Sequence, residues 1–172
     1  MDLRIRSARP DDAAAIVAIF NPIINAGLYT AFDTPFTVEA ERDYILNMGP
    51  RDIFHVAVRY EDEGHPERGR IVGFQSMSPY PSATRSWAHV GVLGTFVDLT
   101  LRRQGIASRL FLATFEAARQ KDYEKLFTFI RADNPTALAA YLKHGFRIVG
   151  TAQKQAKIQG RYMDEIIIER FL

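Results

Sequence analysis

After an apolar stretch that ends near Asp98, the chain reads Arg102-Arg103-Gln104-Gly105-Ile106-Ala107 and then keeps helical spacing to about Lys121. This order predicts a buried strand, a tight turn and an amphipathic helix. Gly105 and the small Ala107 leave room beside backbone N–H groups, and the helix directs its positive dipole end at the turn. The turn is therefore predicted to hold a diphosphate, although an ordinary helix N-terminus with two solvated arginines shows the same pattern.

The apolar patterns before and after this turn predict one mixed α/β (α+β) domain over residues 1–172. The predicted order of elements is β-α-α-β-β-β-α-β-α-β-β, which gives a central sheet of about six or seven strands flanked by helices. The charged segment 61–69 is predicted to be a solvated hairpin connection without function. Strands are predicted at 3–6, 54–58, 70–77, 89–99, 125–131, 146–150 and 163–172, and helices begin near 10, 37, 105 and 134.

The composition argues against several classes of function. Hydrophobic residues form 47% of the chain and the formal net charge is +2, whereas a nucleic-acid-binding domain usually carries a dense basic face. The absence of cysteine removes disulfides, thiolate zinc sites and a cysteine nucleophile. The four scattered histidines lack the spacing of metal ligands. No apolar run reaches the roughly 18 residues that span a bilayer, and no signal pattern is present, so we expect a cytoplasmic protein without membrane contact.

A second segment places Asn134, Tyr141 and the pair Gly145-Phe146 on the next predicted helix and its end. Together with the turn at 102–107, these residues resemble the two motifs of the GNAT (Gcn5-related) N-acetyltransferase superfamily. Those motifs are Arg/Gln-x-x-Gly-x-Gly/Ala, and Asn followed by Tyr and then Gly-Phe. The order of elements is also that of the family, so the resemblance covers nearly the whole chain. Segments 29–35 and 160–164 are most similar to the phosphinothricin and amino-acid N-acetyltransferase type.

The resemblance implies acetyl-CoA as co-substrate and no metal. The backbone of Thr95, Phe96 and Val97 would pair with the pantetheine arm as an added strand does. Asn134 would contact the pantetheine or an ordered water. The strand ending at Asp98 and the strand at Phe127 would splay apart to admit the acyl group. The residues that would hold the pyrophosphate are Arg102, Arg103, Gln104, Gly105, Ile106 and Ala107.

The mechanism that the resemblance implies is direct attack of a neutral amine on the thioester. Tyr141 would lie near the sulfur and protonate the leaving thiolate, since a phenol keeps its proton at neutral pH, or it would simply pack in the core. The backbone N–H of Val97 would stabilise the oxyanion. Enzymes of the phosphinothricin type carry a glutamate near the position of Val92 here, so the base is an open question. His89 is the candidate, with Asp98 or a water chain as alternatives.

The acceptor side is predicted from position. The loop aromatics Tyr29, Phe32 and Phe36, with Pro35, would line an acceptor pocket or merely cap the core. Arg85 or Arg161 would pair with a substrate carboxylate through a guanidinium fork. We expect the acceptor to be the primary amine of a small molecule, an amino acid or an analogue such as phosphinothricin or methionine sulfoximine. The alternatives are a protein or peptide amine, and an inactive acyl-CoA-binding sensor or partner module. The resemblance also leads us to expect a homodimer.

Overall fold

The structure is a computed structural model that describes residues 2–60, 69–81 and 83–172. Its helices and strands follow one another in the predicted order. The predicted hairpin connection at 61–69 lies, apart from Gly69, outside the described residues. The strands are β1 (Asp2–Ser7), β2 (Ile53–Tyr60), β3 (Arg70–Pro79), β4 (Val90–Val97), β5 (Lys125–Arg131), β6 (Arg147–Ile158) and β7 (Arg161–Phe171), and the helices are α1 (Ala13–Asn25), α2 (Val38–Leu46), α3 (Ile106–Gln120) and α4 (Pro135–Lys143).

The strands form one seven-stranded sheet in the order β1-β2-β3-β4-β5-β7-β6, which confirms the predicted mixed sheet. Neighbouring strands are antiparallel except β4 and β5, which run parallel. These two central strands pair only from Val90 opposite Lys125 to Val92 opposite Phe127, and each then continues without the other. The predicted splay is therefore confirmed, and it opens a cleft beyond Val92.

The helices cover both faces of the sheet. The predicted apolar stripe of α1, with Ile16, Ile19, Phe20 and Ile23, is buried, and together with α2 it packs against one face. Helices α3 and α4 share a second cluster on the other face, where Phe111 has no exposed surface. Full burial of an aliphatic or aromatic side chain of this size contributes roughly 1.5–3 kcal/mol before entropic costs. The hydrophobic stripes therefore hold the helices against the sheet.

Two strands differ from their predictions. The strand predicted at 89–99 with both faces buried is Val90–Val97, and its second half is only half-buried because it has left β5. The strand predicted at 146–150 runs on to Ile158 and pairs with β7 along that length. Its outer part is mostly exposed and polar, so no apolar alternation marks it in the sequence. Among the described residues, no helix is long and apolar enough to cross a membrane.

Candidate active site

Two cavities lie along the cleft where β4 leaves β5. The first, of about 540 Å³, lies between β4, the start of α3 and α4, and we call it the α3 cavity. The second, of about 680 Å³, lies between β3, β4, β5 and the loop after α1, and we call it the aromatic cavity. The two cavities meet at a shared wall, since both are lined by Tyr29, Thr95, Phe96, Ala137 and Tyr141.

All but one of the predicted cofactor-binding residues line the α3 cavity. Gln104 is the exception, because its side-chain oxygen accepts a hydrogen bond of 3.3 Å from Arg59 Nη1. Lys143 and His144 line the same cavity although the sequence patterns did not indicate them. The predicted residues that the structure brings together here are Thr95, Phe96, Val97, Arg102, Arg103, Gly105, Ile106, Ala107, Asn134 and Tyr141.

The turn before α3 has a backbone that suits an anion. Gly105 is the N-cap of α3 with φ +78°, a left-handed conformation that glycine adopts without steric cost. The N–H groups of the first helical turn have no partner within the helix, and they carry the positive end of its dipole. Arg102 and Arg103 line the cavity beside them, with the Arg102 guanidinium 4.0 Å from the centre of the Tyr29 ring. A diphosphate fits the charge and the donors at this end.

The open edge of β4 offers a row of backbone groups to the cleft. Asp98 N–H donates to the Val72 carbonyl, 3.0 Å away, and Tyr80 N–H donates to the Val90 carbonyl. The backbone N–H and C=O groups of the even-numbered residues of β4 therefore face β3. Backbone groups alternate in direction along an extended strand, so those of Thr95 and Val97 face the side on which β5 has left. An extended polar chain can bind such an edge as an added strand.

Asn134 fixes the start of α4. Its side-chain oxygen accepts a hydrogen bond from Ala137 N–H at 3.1 Å, and its Nδ2 donates to the Tyr29 carbonyl at 3.1 Å. Asn134 is buried, and each end of its amide has a partner within the chain. The residue therefore ties α4 to the loop that carries Tyr29, and a contact with pantetheine stays a prediction.

Tyr141 stands at the wall between the two cavities. Its hydroxyl lies 3.0 Å from the Thr95 hydroxyl oxygen, which also accepts a hydrogen bond of 2.5 Å from Gln75 Nε2. Phe111 and Phe146 hold the ring edge-on, with ring centres 4.9 and 5.0 Å away. Burial raises the pKa of Tyr141 to about 12, although hydrogen bonds with Thr95 offset part of this effect. Tyr141 therefore carries its proton throughout the neutral range.

Aromatic rings form much of the second cavity. The predicted acceptor residues Tyr29, Phe32 and Phe36 all line it, and the ring centres of Phe32 and Phe36 each lie 5.3 Å from that of Phe20. Such walls suit the apolar part of a small ligand, with orientation set by a few polar groups. The other rings in the wall are those of Tyr44, Phe54, Phe74, Phe96, Phe129 and Tyr141.

Arg131 holds the loop after α1 over the aromatic cavity. Its Nε and Nη2 bind the two oxygens of Asp133 at 2.9 and 2.7 Å. Its Nη1 donates to the carbonyls of Gly27 and Thr30 at 2.8 and 3.1 Å. The side chain of Arg131 is only 3% exposed. This guanidinium is therefore engaged within the chain, and it connects the end of β5 to the loop that carries Tyr29 and Phe32.

Two buried carboxyl groups in the aromatic cavity were missed by the sequence patterns. Glu41 on α2 is 6% exposed and Glu165 on β7 is 9% exposed, and both line the cavity. Burial raises the pKa of Glu41. Burial also raises the pKa of Glu165, while the charge of Arg131 opposes that shift. The available signal was a charged residue on an apolar face, since Glu41 lies one helical turn before the buried Ile45.

Five other predicted residues line neither cavity, namely Pro35, Arg85, His89, Asp98 and Arg161. Arg85, His89 and Arg161 are exposed. His89 precedes β4, and six extended residues place it roughly 20 Å from Thr95 along the strand, which is too far for direct proton transfer at Tyr141. Asp98 is engaged elsewhere: although burial acts in the opposite direction, hydrogen bonds from Thr100 and the charge of Arg70 lower its pKa.

No cluster of three or more histidine, aspartate or glutamate side chains in the described part of the chain is arranged to hold a metal ion. The polar groups at the cavities include the Tyr141 phenol, two carboxyls, backbone N–H groups and arginines. Together they offer an anion site at one end, an apolar site at the other, and a proton donor between them.

Residues 24–146 match the model of the acetyltransferase (GNAT) family. Over 173 aligned residues the chain is 27% identical to a Bacillus subtilis protein named "Putative phosphinothricin acetyltransferase YwnH", covering 99% of both chains. It is 32% identical to the L-amino acid N-acetyltransferase AaaT of Escherichia coli over 105 residues, which cover 59% of this chain and 62% of AaaT. The solved structure of ribosomal-protein-alanine N-acetyltransferase from Brucella melitensis superposes with a TM-score of 0.86 at 25% identity, covering 98% and 99% of the two chains. The chain belongs to the acetyltransferase (GNAT) family and is an acyl-CoA-dependent N-acetyltransferase.

Proposed function

We propose that this chain transfers the acetyl group of acetyl-CoA to the primary amine of a small molecule. The observation that carries the proposal is the shared wall at Thr95, Phe96 and Tyr141, where the α3 cavity meets the aromatic cavity. A transfer between two substrates needs two binding sites that converge on one reacting point. The names of the relatives make amino acids and phosphinothricin the first acceptors to test.

The α3 cavity is the proposed site of acetyl-CoA. The N–H groups at the start of α3, with Arg102 and Arg103, bind the diphosphate, and the open edge of β4 binds the pantetheine arm. Acetyl-CoA supplies the thioester carbonyl, at which a C–N bond to the amine forms while the C–S bond breaks. Because its backbone faces the open edge, Val97 N–H donates to the carbonyl oxygen as charge develops there.

Tyr141 is the proposed proton donor to the leaving sulfur. Its raised pKa keeps the proton on the phenol until a thiolate develops beside it. The incoming ammonium must also lose a proton before its nitrogen can attack. We assign that proton to the buried carboxyls of the aromatic cavity, Glu41 and Glu165, in place of His89. A carboxyl with a raised pKa accepts a proton more readily than a fully solvated one.

Binding and turnover test the proposal separately. Acetyl-CoA at 100 times its dissociation constant adds about 2.7 kcal/mol to the free energy of unfolding, which raises the Tm. S-acetylpantetheine, which lacks the diphosphate, is the control and gives a smaller shift at the same concentration. Release of free thiol from acetyl-CoA is then followed across small amines. The assignment of the α3 cavity fails if acetyl-CoA leaves the Tm unchanged.

A peptide amine is the second candidate, because the Brucella melitensis structure is named for an alanine residue of a ribosomal protein. Thiol release with peptides but not with small amines favours this candidate. Acetyl-CoA binding without any thiol release favours a sensor or partner module instead. The homodimer expected from the family resemblance stays a prediction, which the molar mass in solution tests.

A further inference from the structure

We infer that the acceptor is a hydrophobic amine with no carboxylate beside its amino group, such as an alkylamine or arylalkylamine. This inference rests on the proposed function and narrows its substrate class. It follows from three features of the groups that line the aromatic cavity. Within the described residues, the two carboxyls form no hydrogen bond or close ion pair; the one cation, Arg131, is bound to Asp133 and to two loop carbonyls; and aromatic rings form much of the wall.

The two carboxyls form no direct contact with a polar partner among the described residues, although the charge of Arg131 acts on Glu165. Within residues 2–60, 69–81 and 83–172, no hydrogen bond or ion pair within contact distance joins the side chain of Glu41 or Glu165 to another group. Both residues are nonetheless less than 10% exposed. An ammonium group brings three N–H donors and a positive charge, which are what two buried carboxyls can accept. The ammonium end of an acceptor therefore matches this part of the cavity.

The cation in the wall is already engaged. Among the described residues that line the aromatic cavity, Arg131 is the only basic one. Its Nε and Nη2 bind Asp133 and its Nη1 binds two loop carbonyls, so it cannot also form a fork with a ligand carboxylate without releasing Asp133 or the loop. The arginines predicted for that task, Arg85 and Arg161, are exposed and lie outside the cavity.

An amino acid in this cavity would add a third carboxyl group to two existing ones. Hydroxyls from Ser76, Ser78 and Thr128 line the cavity, but a hydroxyl carries no balancing charge. A buried carboxylate without a cation is strongly unfavourable. An alkyl or aromatic tail has no such electrostatic penalty, and it packs against the rings around Phe20. The cavity therefore selects for amines that carry no carboxylate beside the amino group.

The decisive comparison uses compounds that share a phenyl ring: phenethylamine, L-phenylalaninamide and L-phenylalanine. With the purified protein and saturating acetyl-CoA, we expect kcat/KM for phenethylamine and for the amide to exceed that for the amino acid at least about tenfold. Phenethylamine is a stronger base than L-phenylalanine, so a larger neutral fraction does not explain its advantage. Equal or better use of L-phenylalanine overturns the inference and leaves the proposed function intact, whereas acetylation of none of a broad set of small amines overturns both.

The carboxyl groups can be tested by Glu41→Gln and Glu165→Gln. Each variant removes a negative charge, so the ratio of kcat/KM between phenethylamine and L-phenylalanine falls at least about threefold in one or both. Glu39→Gln is the matched control, because Glu39 lies on the same helix and is exposed, and it keeps the ratio of the native chain. An unchanged ratio in both cavity variants, with acetyl-CoA still bound as judged by Tm, overturns the role given to the carboxyls.

Discussion

The hydroxyl oxygens of Tyr141 and Thr95 lie 3.0 Å apart at the point where the two cavities meet. Gln75 Nε2 donates to the same Thr95 oxygen at 2.5 Å, so Thr95 can direct its own hydrogen toward Tyr141. In that arrangement Tyr141 accepts from Thr95, and its own hydrogen is free to point into the cavities. The pair therefore sets the direction in which the phenol can donate a proton.

Tyr141→Phe removes the proposed acid while keeping the ring that packs against Phe111 and Phe146. We expect kcat to fall about 10²- to 10⁴-fold, the usual contribution of a positioned general acid. The dissociation constant of acetyl-CoA, measured by calorimetry, changes little. An unchanged kcat assigns Tyr141 to packing alone.

The pH profile gives a second test of Tyr141. Because its pKa is raised to about 12, the phenol loses its proton only at strongly alkaline pH. The kcat profile of the native enzyme therefore has no basic limb from Tyr141 below about pH 11. A basic limb near pH 9 that disappears in Tyr141→Phe contradicts this assignment.

Thr95→Val removes the hydroxyl between Gln75 and Tyr141 with little change in shape. We expect kcat to fall roughly tenfold because the phenol is no longer oriented. Stability falls by about 1–3 kcal/mol, since Gln75 Nε2 is left without its partner and Gln75 Oε1 is already buried and unpaired. Thr95→Ser keeps the hydroxyl and serves as the control in kinetics and thermal melts. Equal kcat values for the valine and serine variants count against an orienting role.

Gly105→Ala places a side chain on a residue with φ +78°. The left-handed backbone costs a non-glycine residue about 1 kcal/mol, which lowers the Tm by roughly 2–4 °C for a chain of this size. Acetyl-CoA binding weakens as well, because the N–H groups of the turn are displaced. Gly150→Ala is the control: its φ lies outside the left-handed region and no atom lies within 4 Å of the added carbon. Equal acetyl-CoA affinity in both variants removes the turn from the binding site.

Glu41→Gln should stabilise the fold while it impairs catalysis. Burial raises the pKa of Glu41 above its ordinary value of 4.5, so the native state holds this proton more tightly than the unfolded chain does. Stability is therefore lost as pH rises from about the unfolded pKa through the folded one. The Tm advantage of Glu41→Gln is absent near pH 4, grows as the pH rises through the folded pKa, and is largest above it. The exposed Glu39→Gln shows no such trend, and a flat difference between Glu41→Gln and the native chain contradicts the buried-carboxyl account.

Local sequence patterns predicted most of the helices and strands. The stripe of Ile16, Ile19, Phe20 and Ile23 identified α1, and Thr37 was a sound N-cap for α2, where its hydroxyl accepts from Ala40 N–H at 3.1 Å. The outer part of β6 was missed because its partner is β7 and its side chains are largely exposed. A strand held by backbone pairing alone leaves no periodic apolar signal.

The order of elements and the α3 turn could be predicted from the chain, because both depend on neighbours within a few residues. The composition of the aromatic cavity could not be predicted in this way, because it depends on tertiary packing. Glu41 and Glu165 come from elements that are distant in the chain. In the sequence alone, a glutamate is expected to be exposed to solvent, so neither residue stands out. Their shared burial, and the engagement of Arg131 by Asp133 and the loop, follow from which elements pack together. Desolvation depends on that packing, so the raised pKa values of these two carboxyls are a property of the fold rather than of any one segment.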